Sequence, residues 1–276
     1  MINMPELPEV ETIRRSLDPL IRGHRIVSVQ VLQRQLRIPV AEDFEARLEG
    51  KCVRCVKRKG KYVLVELDPE DVWVLHLGMS GKLTCIRKPC PIVKHDHIVV
   101  RFETGHELRY HDPRRFGLTL VLRNEELFQW PPLSHLGVDP LSAQFNADYL
   151  YSAMRNSKRR VKDLLMDQTV VAGLGNIYAN EILFRTGLRP TRRVGRINHR
   201  LAKRIAEATP AVLEEAIRWR GTSFSDYRDG ENQKGEFQNH LQVYNREGKN
   251  CRVCPDKIKK LQVGNRSVFY CPTCQT

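Results

Sequence analysis

The apolar residues near the start of the chain recur at helical intervals. They lie three or four positions apart, at Val10, Ile13, Leu17, Leu20 and Ile21. Gly23 follows soon after the last of them, and glycine commonly ends helices. The spacing predicts an amphipathic helix over residues 8–21, with a proline in its first turn and early glutamates that complement the helix dipole.

The next hundred residues form short runs rich in β-branched and aromatic side chains. Turn residues such as Gly78, Gly81, Gly105 and Gly117 separate most of these runs. We predict a short helix at 44–48 and strands at 26–32, 51–56, 61–67, 72–77, 82–86, 97–102, 107–110 and 118–122. Short, regularly spaced strands are typical of a β-sandwich or barrel.

The proline-containing segment 130–137 ends this pattern, and we interpret it as a hinge. Beyond it the apolar spacing becomes helical, and Ser157 and Asn176 are candidate N-caps of two successive helices. A longer basic helix is predicted from about Asn198, with a kink or restart at Pro210. The last forty residues return to short β-type runs.

The charge of the chain indicates a polyanionic partner. Its 276 residues carry 46 Lys and Arg against 32 Asp and Glu, a net charge of +14. Residues 155–204 alone hold 13 basic and 3 acidic side chains. A solvated basic face is the alternative, but this excess lies on foldable sequence, which favours nucleic acid. No apolar run approaches the roughly 20 residues of a membrane helix, and no secretion signal is evident.

Four cysteines near the end of the chain have the spacing of a zinc site. They form two Cys-x2-Cys pairs separated by sixteen residues: Cys251, Cys254, Cys271 and Cys274. Two such turns present four thiolates to one tetrahedral ion and leave no position for water, so the predicted zinc is structural. Reduced, unligated thiols are the alternative.

Cys52 and Cys55 have the same local spacing, and Cys85 and Cys90 could complete a second site. The first two lie in a predicted strand, where residues three apart point to opposite faces. We therefore interpret them as buried structural thiols.

The fifth residue carries the most distinctive chemistry. If translation begins at Met4 and that methionine is removed, Pro5 has a free secondary amine that can attack an electrophilic carbon and form an iminium. An α-amino group has a pKa of about 7.7–8.0, so part of it is unprotonated near neutrality. The alternative is an ordinary acidic helix start.

Ordered motifs along the chain resemble the formamidopyrimidine-DNA glycosylase family. The matching segments are PELPEVET at 5–12, KY at 61–62, HLGMSG at 76–81, HDH at 95–97, DPRRFG at 112–117, GLGNIYA at 173–179, LQVY at 241–244 and FYC at 269–271 with the cysteine pairs. The start resembles the formamidopyrimidine branch more than the endonuclease VIII branch.

The resemblance implies an α+β fold with a β-sandwich, a helix–two-turn–helix domain and a zinc-finger hairpin. We place an N-terminal catalytic domain at 1–134, a hinge at 135–141, the helical domain at 142–239 and the finger at 240–276. It further implies a monomeric, cytoplasmic, nucleoid-associated enzyme with one structural zinc ion. Its substrate would be damaged duplex DNA.

The implied activity is removal of 8-oxoguanine and formamidopyrimidines, followed by strand cleavage through β,δ-elimination. Pro5 would attack C1′ of the damaged nucleotide, and Glu6 would move protons. Lys61 would approach the lesion's phosphate, although it could equally be one of several phosphate-binding cations. Arg266 would grip the flanking phosphates and assist δ-elimination.

The implied DNA contacts include a wedge that fills the gap left by a flipped nucleotide. Met79 and Phe116 would part the base step, and Arg114 would bond the orphaned cytosine. Further backbone contacts are expected from His95, Asn176, Lys158 and Lys162, with weaker support from Arg159 and Arg160. The polar loop 222–235 has the position expected for a lid over the flipped base.

Two rival functions remain open from the sequence alone. One is an endonuclease VIII-like preference for oxidised pyrimidines. The other is a noncatalytic protein that recognises lesions, because retention of Met1, Ile2 and Asn3 would leave the Pro5 nitrogen as a tertiary amide.

Overall fold

The computed structural model describes residues 4–88, 90–155, 157–224 and 227–276. These residues form two compact units. The first extends to Ser134 and includes Ile217–Gln238, and the second comprises His135–Ala216 and Asn239–Thr276. The four predicted domain ranges stay predictions. Met1, Ile2 and Asn3, on which the predicted start site depends, lie outside the described residues.

The first unit contains eight strands among its described residues. Its helices are α1 (Leu7–Ile21), α2 (Phe44–Leu48), α3 (Asn124–Leu127) and α4 (Pro131–Ser134). Its strands are β1 (Ile26–Val31), β2 (Cys52–Lys59), β3 (Tyr62–Asp68), β4 (Asp71–His76), β5 (Lys82–Ile86), β6 (Asp96–Phe102), β7 (Glu107–His111) and β8 (Leu118–Arg123). Helix α4 occupies part of the segment that we interpreted as a hinge.

The strands form two antiparallel four-stranded sheets, ordered β1-β6-β7-β5 and β2-β3-β4-β8. Their apolar faces are buried together with the apolar stripe of α1, including Val10, Ile13 and Leu17. Trp73 meets Phe44 edge to face at 6.2 Å between ring centroids. The predicted sandwich is confirmed, and α1 packs against it along its apolar stripe.

A bulge in β2 corrects one step of our reasoning about Cys52 and Cys55. The register shifts between Val53 and Cys55, and both Val53 and Val56 enter the core although they lie three residues apart. The extra residue of a bulge resets the alternation of faces, so the spacing no longer places the two cysteines on opposite faces. Both thiols are half-buried rather than buried. Among the described residues they belong to no metal-ligand cluster.

The second unit holds the longer helices and the terminal hairpin. Its elements are α5 (Ala147–Arg155), α6 (Val161–Leu165), α7 (Asn176–Arg185), α8 (His199–Arg218), β9 (Lys259–Val263) and β10 (Arg266–Tyr270), with α8 ending in the first unit. Helix α7 is capped by Gly175, so Asn176 is its first residue rather than its cap. Helix α8 continues through Pro210 without a restart. Within the described part of the chain, no helix combines the length and apolarity needed to cross a bilayer.

Two buried polar side chains of α7 hold the C-terminal segment. Asn180 accepts a hydrogen bond from the Phe269 N–H at 2.9 Å. The carboxylate of Glu181 accepts the N–H groups of Gln242, Val243 and Tyr244 at 2.8–3.0 Å. A buried carboxylate is tolerated when backbone donors satisfy it. Helix α7 therefore fixes both the hairpin and the chain that leads into the finger.

We expect Glu181→Ala to destabilise the protein by about 3 kcal/mol, because it leaves three buried N–H groups without their acceptor. The free energy of unfolding from urea titrations measures this loss. Glu214→Ala, at an exposed position of α8, is the control and should change stability by less than about 0.5 kcal/mol. Equal stability of the two variants would contradict a holding role for Glu181.

Candidate functional site

The first turn of α1 fixes the residues around Pro5. Pro5 is buried, and Glu6 is the N-cap of the helix with 3 % of its surface exposed. The Glu9 carboxylate accepts the Glu6 N–H at 2.9 Å through one oxygen and the Thr222 N–H at 2.7 Å through the other. This capping box satisfies amide groups that a helix start otherwise leaves unpaired. The backbone beside the predicted nucleophile is therefore held from two directions.

Lys61 lies at the tip of the β2–β3 hairpin. Gly60 takes a positive φ of 57° there, and Lys61 is 7 % exposed. Arg58, on the same hairpin, bonds the Glu11 carboxylate of α1 at 3.1 Å, and both side chains are less than a tenth exposed. Burial would raise the pKa of Glu11, but hydrogen bonds from Arg14 and Arg15 and the charge of Arg58 hold it below its usual value. Glu11 stays ionised and ties the lysine's hairpin to α1.

A neutral histidine borders Lys61. His76 is 8 % exposed, pairs with Tyr62 across β3 and β4, and accepts the Gly78 N–H through Nδ1 at 3.1 Å. Burial, and then the positive charges of Lys61 and Arg37, lower the pKa of His76 to about 4. The imidazole therefore adds no positive charge near Lys61 at neutral pH.

The three predicted wedge residues lie on two adjoining turns. Met79 is half-buried in the turn that follows β4, whereas Arg114 and Phe116 are exposed in the loop between β7 and β8. The Arg114 guanidinium stacks over the Phe116 ring at 4.7 Å. The Ser80 hydroxyl, next to Met79, accepts the Arg114 N–H at 3.3 Å. The structure thus brings the wedge residues together.

His95 adjoins the same loop. It has a positive φ of 75°, and its ring lies 6.0 Å from His111 and 6.2 Å from His97. Its carbonyl accepts the Asp112 N–H at 3.1 Å. Desolvation, followed by the charge of Lys94, lowers the pKa of His95.

In the second unit, the start of α7 and the finger hairpin share one contact point. The Nζ of Lys162 and the Nδ2 of Asn176 donate to the Ser267 carbonyl at 2.9 and 3.2 Å. Lys162 is 2 % exposed, so its ammonium supports the hairpin, a role that our sequence analysis missed. Arg266 precedes Ser267, after the Gly264–Asn265 turn, and is exposed, as is Lys158. Arg266 is therefore exposed, whereas the adjacent Ser267 is buried and held by Lys162.

The four terminal cysteines are assembled for a metal. Their sulfur atoms all lie within 4.8 Å of one another, with Cys251 3.9 Å from Cys274 and Cys254 3.4 Å from Cys271. A tetrahedral zinc ion with Zn–S bonds of about 2.3 Å requires sulfurs about 3.8 Å apart. The donor set therefore fits one structural zinc ion.

Comparisons with known proteins agree with this geometry along the whole chain. Family models match for the formamidopyrimidine-DNA glycosylase N-terminal domain at residues 4–119 and its H2TH domain at 136–228. A model of the zinc finger found in FPG and IleRS matches 248–276. The chain belongs to the formamidopyrimidine-DNA glycosylase family.

Individual members of the family match over nearly their full length. The formamidopyrimidine-DNA glycosylases of Hahella chejuensis and Thioalkalivibrio sulfidiphilus are 44 % and 43 % identical, over 99 % of this chain and all of theirs. A variant Lactococcus lactis Fpg bound to Fapy-dG DNA superposes with a TM-score of 0.91 at 31 % identity, covering 99 % of this chain and 100 % of that one. The Thermus thermophilus MutM (Fpg) structure gives 0.87 at 37 %, covering 98 % of each chain.

Several residues of this glycosylase site escaped sequence reasoning. Ser80, His76 and Asp112 stand inside the matched motifs, but a motif does not say which of its members touch each other. Arg37 carries no sequence signal at all. It lies near enough to His76 and Tyr62 for its charge to act on both. Contacts between loops bring these residues together: the Arg37 N–H donates to the Gly117 carbonyl at 3.2 Å, and the Ser80 hydroxyl donates to Asp112.

The buried His76 predicts a loss of stability in acid. Its folded pKa of about 4 lies below the unfolded value of about 6.5, so unfolded chains bind more protons below pH 6.5. Stability from this group is complete above pH 6.5 and declines by about 2 kcal/mol at pH 5. Urea titrations at pH 7.5 and 5 should show a smaller decline in His76→Gln, while His135→Gln, at an exposed position, should behave as the parent does. The same decline in all three proteins would contradict the assignment.

Proposed function

We propose that the Pro5 nitrogen is the nucleophile with which this protein excises oxidised purines from DNA. The protein is a base-excision repair glycosylase with abasic-site lyase activity. The observation that carries the proposal is the Pro5-Glu6 pair, buried at the capped start of α1, within a family match that begins at residue 4. No other described feature offers an amine with an intrinsic pKa near neutrality.

The proposed chemistry uses two adjacent groups. The Pro5 nitrogen bonds C1′ as the glycosidic bond breaks, and the amine proton passes to the departing base. Glu6 then protonates the sugar ring oxygen as its bond to C1′ breaks, which leaves C1′ joined to nitrogen as an iminium. This cation accepts electrons when a proton is lost from C2′, so the 3′-phosphate is expelled, and a second elimination expels the 5′-phosphate.

This reaction requires an amine with an available lone pair. We propose that the working enzyme begins at Pro5, because an acyl group on the proline nitrogen would delocalise its lone pair. Glu9 supports the same site, since its carboxylate fixes the Glu6 N–H.

We assign Lys61 to a phosphate at the reacting nucleotide. Its burial at a hairpin tip tied to α1 supports a fixed position, and the neutral His76 adds no second positive charge beside it. A cation placed where negative charge develops lowers the barrier to elimination.

We assign Met79, Phe116 and Arg114 to the gap opened by nucleotide flipping. The exposed, stacked Arg114–Phe116 pair beside the Met79 turn supports a wedge that combines apolar insertion with hydrogen-bond donors for the unpaired base. His95 borders this loop and is proposed to contact the DNA backbone.

In the second unit, we assign Arg266, Lys158 and the start of α7 at Asn176 to phosphates. The exposed Arg266 and Lys158 and the positive end of the α7 dipole favour anions. A direct DNA contact by Lys162 stays a prediction. Its buried bond to Ser267 supports positioning of Arg266 instead. The proposed place of action is the cytoplasm, at the nucleoid, where the substrate of a bacterial DNA-repair enzyme lies.

The segment 222–235 is proposed to cover the flipped base. Ser225 and Asp226 lie outside the described residues. Two backbone groups of the segment bond α1: the Thr222 N–H donates to Glu9 and the Gly230 N–H donates to Ser16.

A second candidate specificity is oxidised pyrimidines. A Lactococcus lactis Fpg, 31 % identical to this chain, has been crystallised with DNA that contains an oxidised pyrimidine. Release from duplexes carrying 8-oxoguanine or thymine glycol separates the two specificities, and faster release of thymine glycol would overturn the purine assignment.

Protein that begins at Pro5 should be trapped on abasic DNA by borohydride, which reduces the iminium to a stable amine. N-acetylated protein, or protein that retains residues before Pro5, should give no adduct. Intact mass spectrometry identifies the terminus in each sample. A missing adduct with a free Pro5 would refute the mechanism and leave a lesion-binding protein without catalysis.

Glu6→Gln should lower the rate of ring opening and strand cleavage by about 10²–10⁴, because the amide cannot transfer protons. It keeps the acceptor oxygen at the N-cap, so the fold and Tm should be unchanged. Single-turnover cleavage of abasic-site DNA gives the rate, and Glu125→Gln, on the exposed surface, is the matched control. Cleavage at the parent's rate would remove Glu6 from the reaction.

A further inference from the structure

One buried carboxylate joins the two turns that carry the wedge. Asp112 is fully buried. One of its oxygens accepts the hydroxyl of Ser80, in the Met79 turn. The other accepts the Gly117 N–H at 2.9 Å, immediately after Phe116. A single side chain therefore bridges the turn after β4 and the loop before β8.

The remaining bonds of Asp112 also converge on this region. The Tyr110 hydroxyl donates to its carboxylate at 3.1 Å, and burial together with the Asp112 charge raises the pKa of Tyr110, which keeps that hydroxyl protonated. The backbone N–H of Asp112 reaches the His95 carbonyl at 3.1 Å, and its own carbonyl bonds His97 at 2.7 Å. Asp112 takes part in none of the salt bridges among the described residues. Hydroxyl and N–H donors, rather than a cation, bond its carboxylate.

The two turns also touch through their backbones. A Cβ on Gly78, where φ is +58°, would lie 2.5 Å from the Phe116 carbonyl carbon. A Cβ on Gly117 would lie 2.6 Å from the His76 carbonyl oxygen and closer still to the Tyr110 hydroxyl. The two turns therefore pack backbone against backbone, with no space for a side chain between them.

We propose that Asp112 is a positioning residue for nucleotide flipping, which fixes Met79, Arg114 and Phe116 as one rigid wedge. The proposal rests on the proposed function, because it assumes that these side chains enter the DNA. Asp112 touches neither the substrate nor the reacting atoms. Because Asp112 orders the wedge when the protein folds, the conformational entropy of these side chains is not lost again during nucleotide flipping.

The test compares two substrates. Excision of 8-oxoguanine opposite cytosine in duplex DNA needs the wedge, whereas borohydride trapping on a single-stranded abasic site has no opposing base to displace. We expect Asp112→Asn and Ser80→Ala to lower kcat/KM on the duplex about tenfold or more, and to leave single-strand trapping within about threefold of the parent. Tyr110→Phe, which removes a bond to Asp112 without touching the bridge between the turns, is the matched control.

A double-mutant cycle gives a readout that general destabilisation would not move. Ser80→Ala should have a smaller effect in a Met79→Ala background than in the parent, because one of the three side chains that it positions is already absent. Equal losses on both substrates, additive effects with Met79→Ala, or a Tyr110→Phe defect as large as that of Ser80→Ala would each overturn the proposal. If even the parent protein is not trapped, the proposed function fails instead.

Discussion

The candidate active site depends on the Glu9 carboxylate at the start of α1. One oxygen of Glu9 holds the amide of Glu6, and the other holds the amide of Thr222. The backbone at Glu6 and the backbone at Thr222, more than two hundred residues apart in sequence, are thus both bound to one side chain. Gly221 is required beside it, since a Cβ there would lie 2.7 Å from the carboxylate. Placement of the predicted nucleophile and of the predicted lid follows from this one group.

In the second unit, too, buried polar side chains hold the backbone of distant segments. Forty residues around four cysteines have too little apolar area to fold alone, so metal and buried polar contacts supply what a core cannot. Zinc closes one end of the finger, and Asn180, Glu181 and Lys162 secure the rest through backbone groups. Each of these side chains is almost fully buried, which makes its bonds directional constraints as well as sources of stability.

The sequence predicted most of this architecture because the signals were local. Periodicity located α1, and a Cys-x2-Cys pair is recognisable wherever it folds. Long-range contacts were harder. The bulge at Val53 and Cys55 depends on pairing with β3, and the strand alternation that we assumed therefore failed. The basic character of Lys162 indicated a DNA contact, but nothing local revealed that the Ser267 carbonyl, 105 residues away, accepts a hydrogen bond from its ammonium. Asp112 belongs to a recognisable motif, but only its bond with Ser80 in the structure indicates a role for it.

The backbone of Gly78 packs against the backbone of Phe116 and Gly117. We call these packed turns the platform, which carries the side chains of Met79 and Phe116. Both backbones lack space for a methyl group at Gly78 and Gly117, whereas Phe116 is exposed and Met79 is half-buried. Their size and polarity can vary without disturbing the sheets beneath. Substrate preference in such a fold can therefore diversify at the tip, while the glycines beneath keep the scaffold the same.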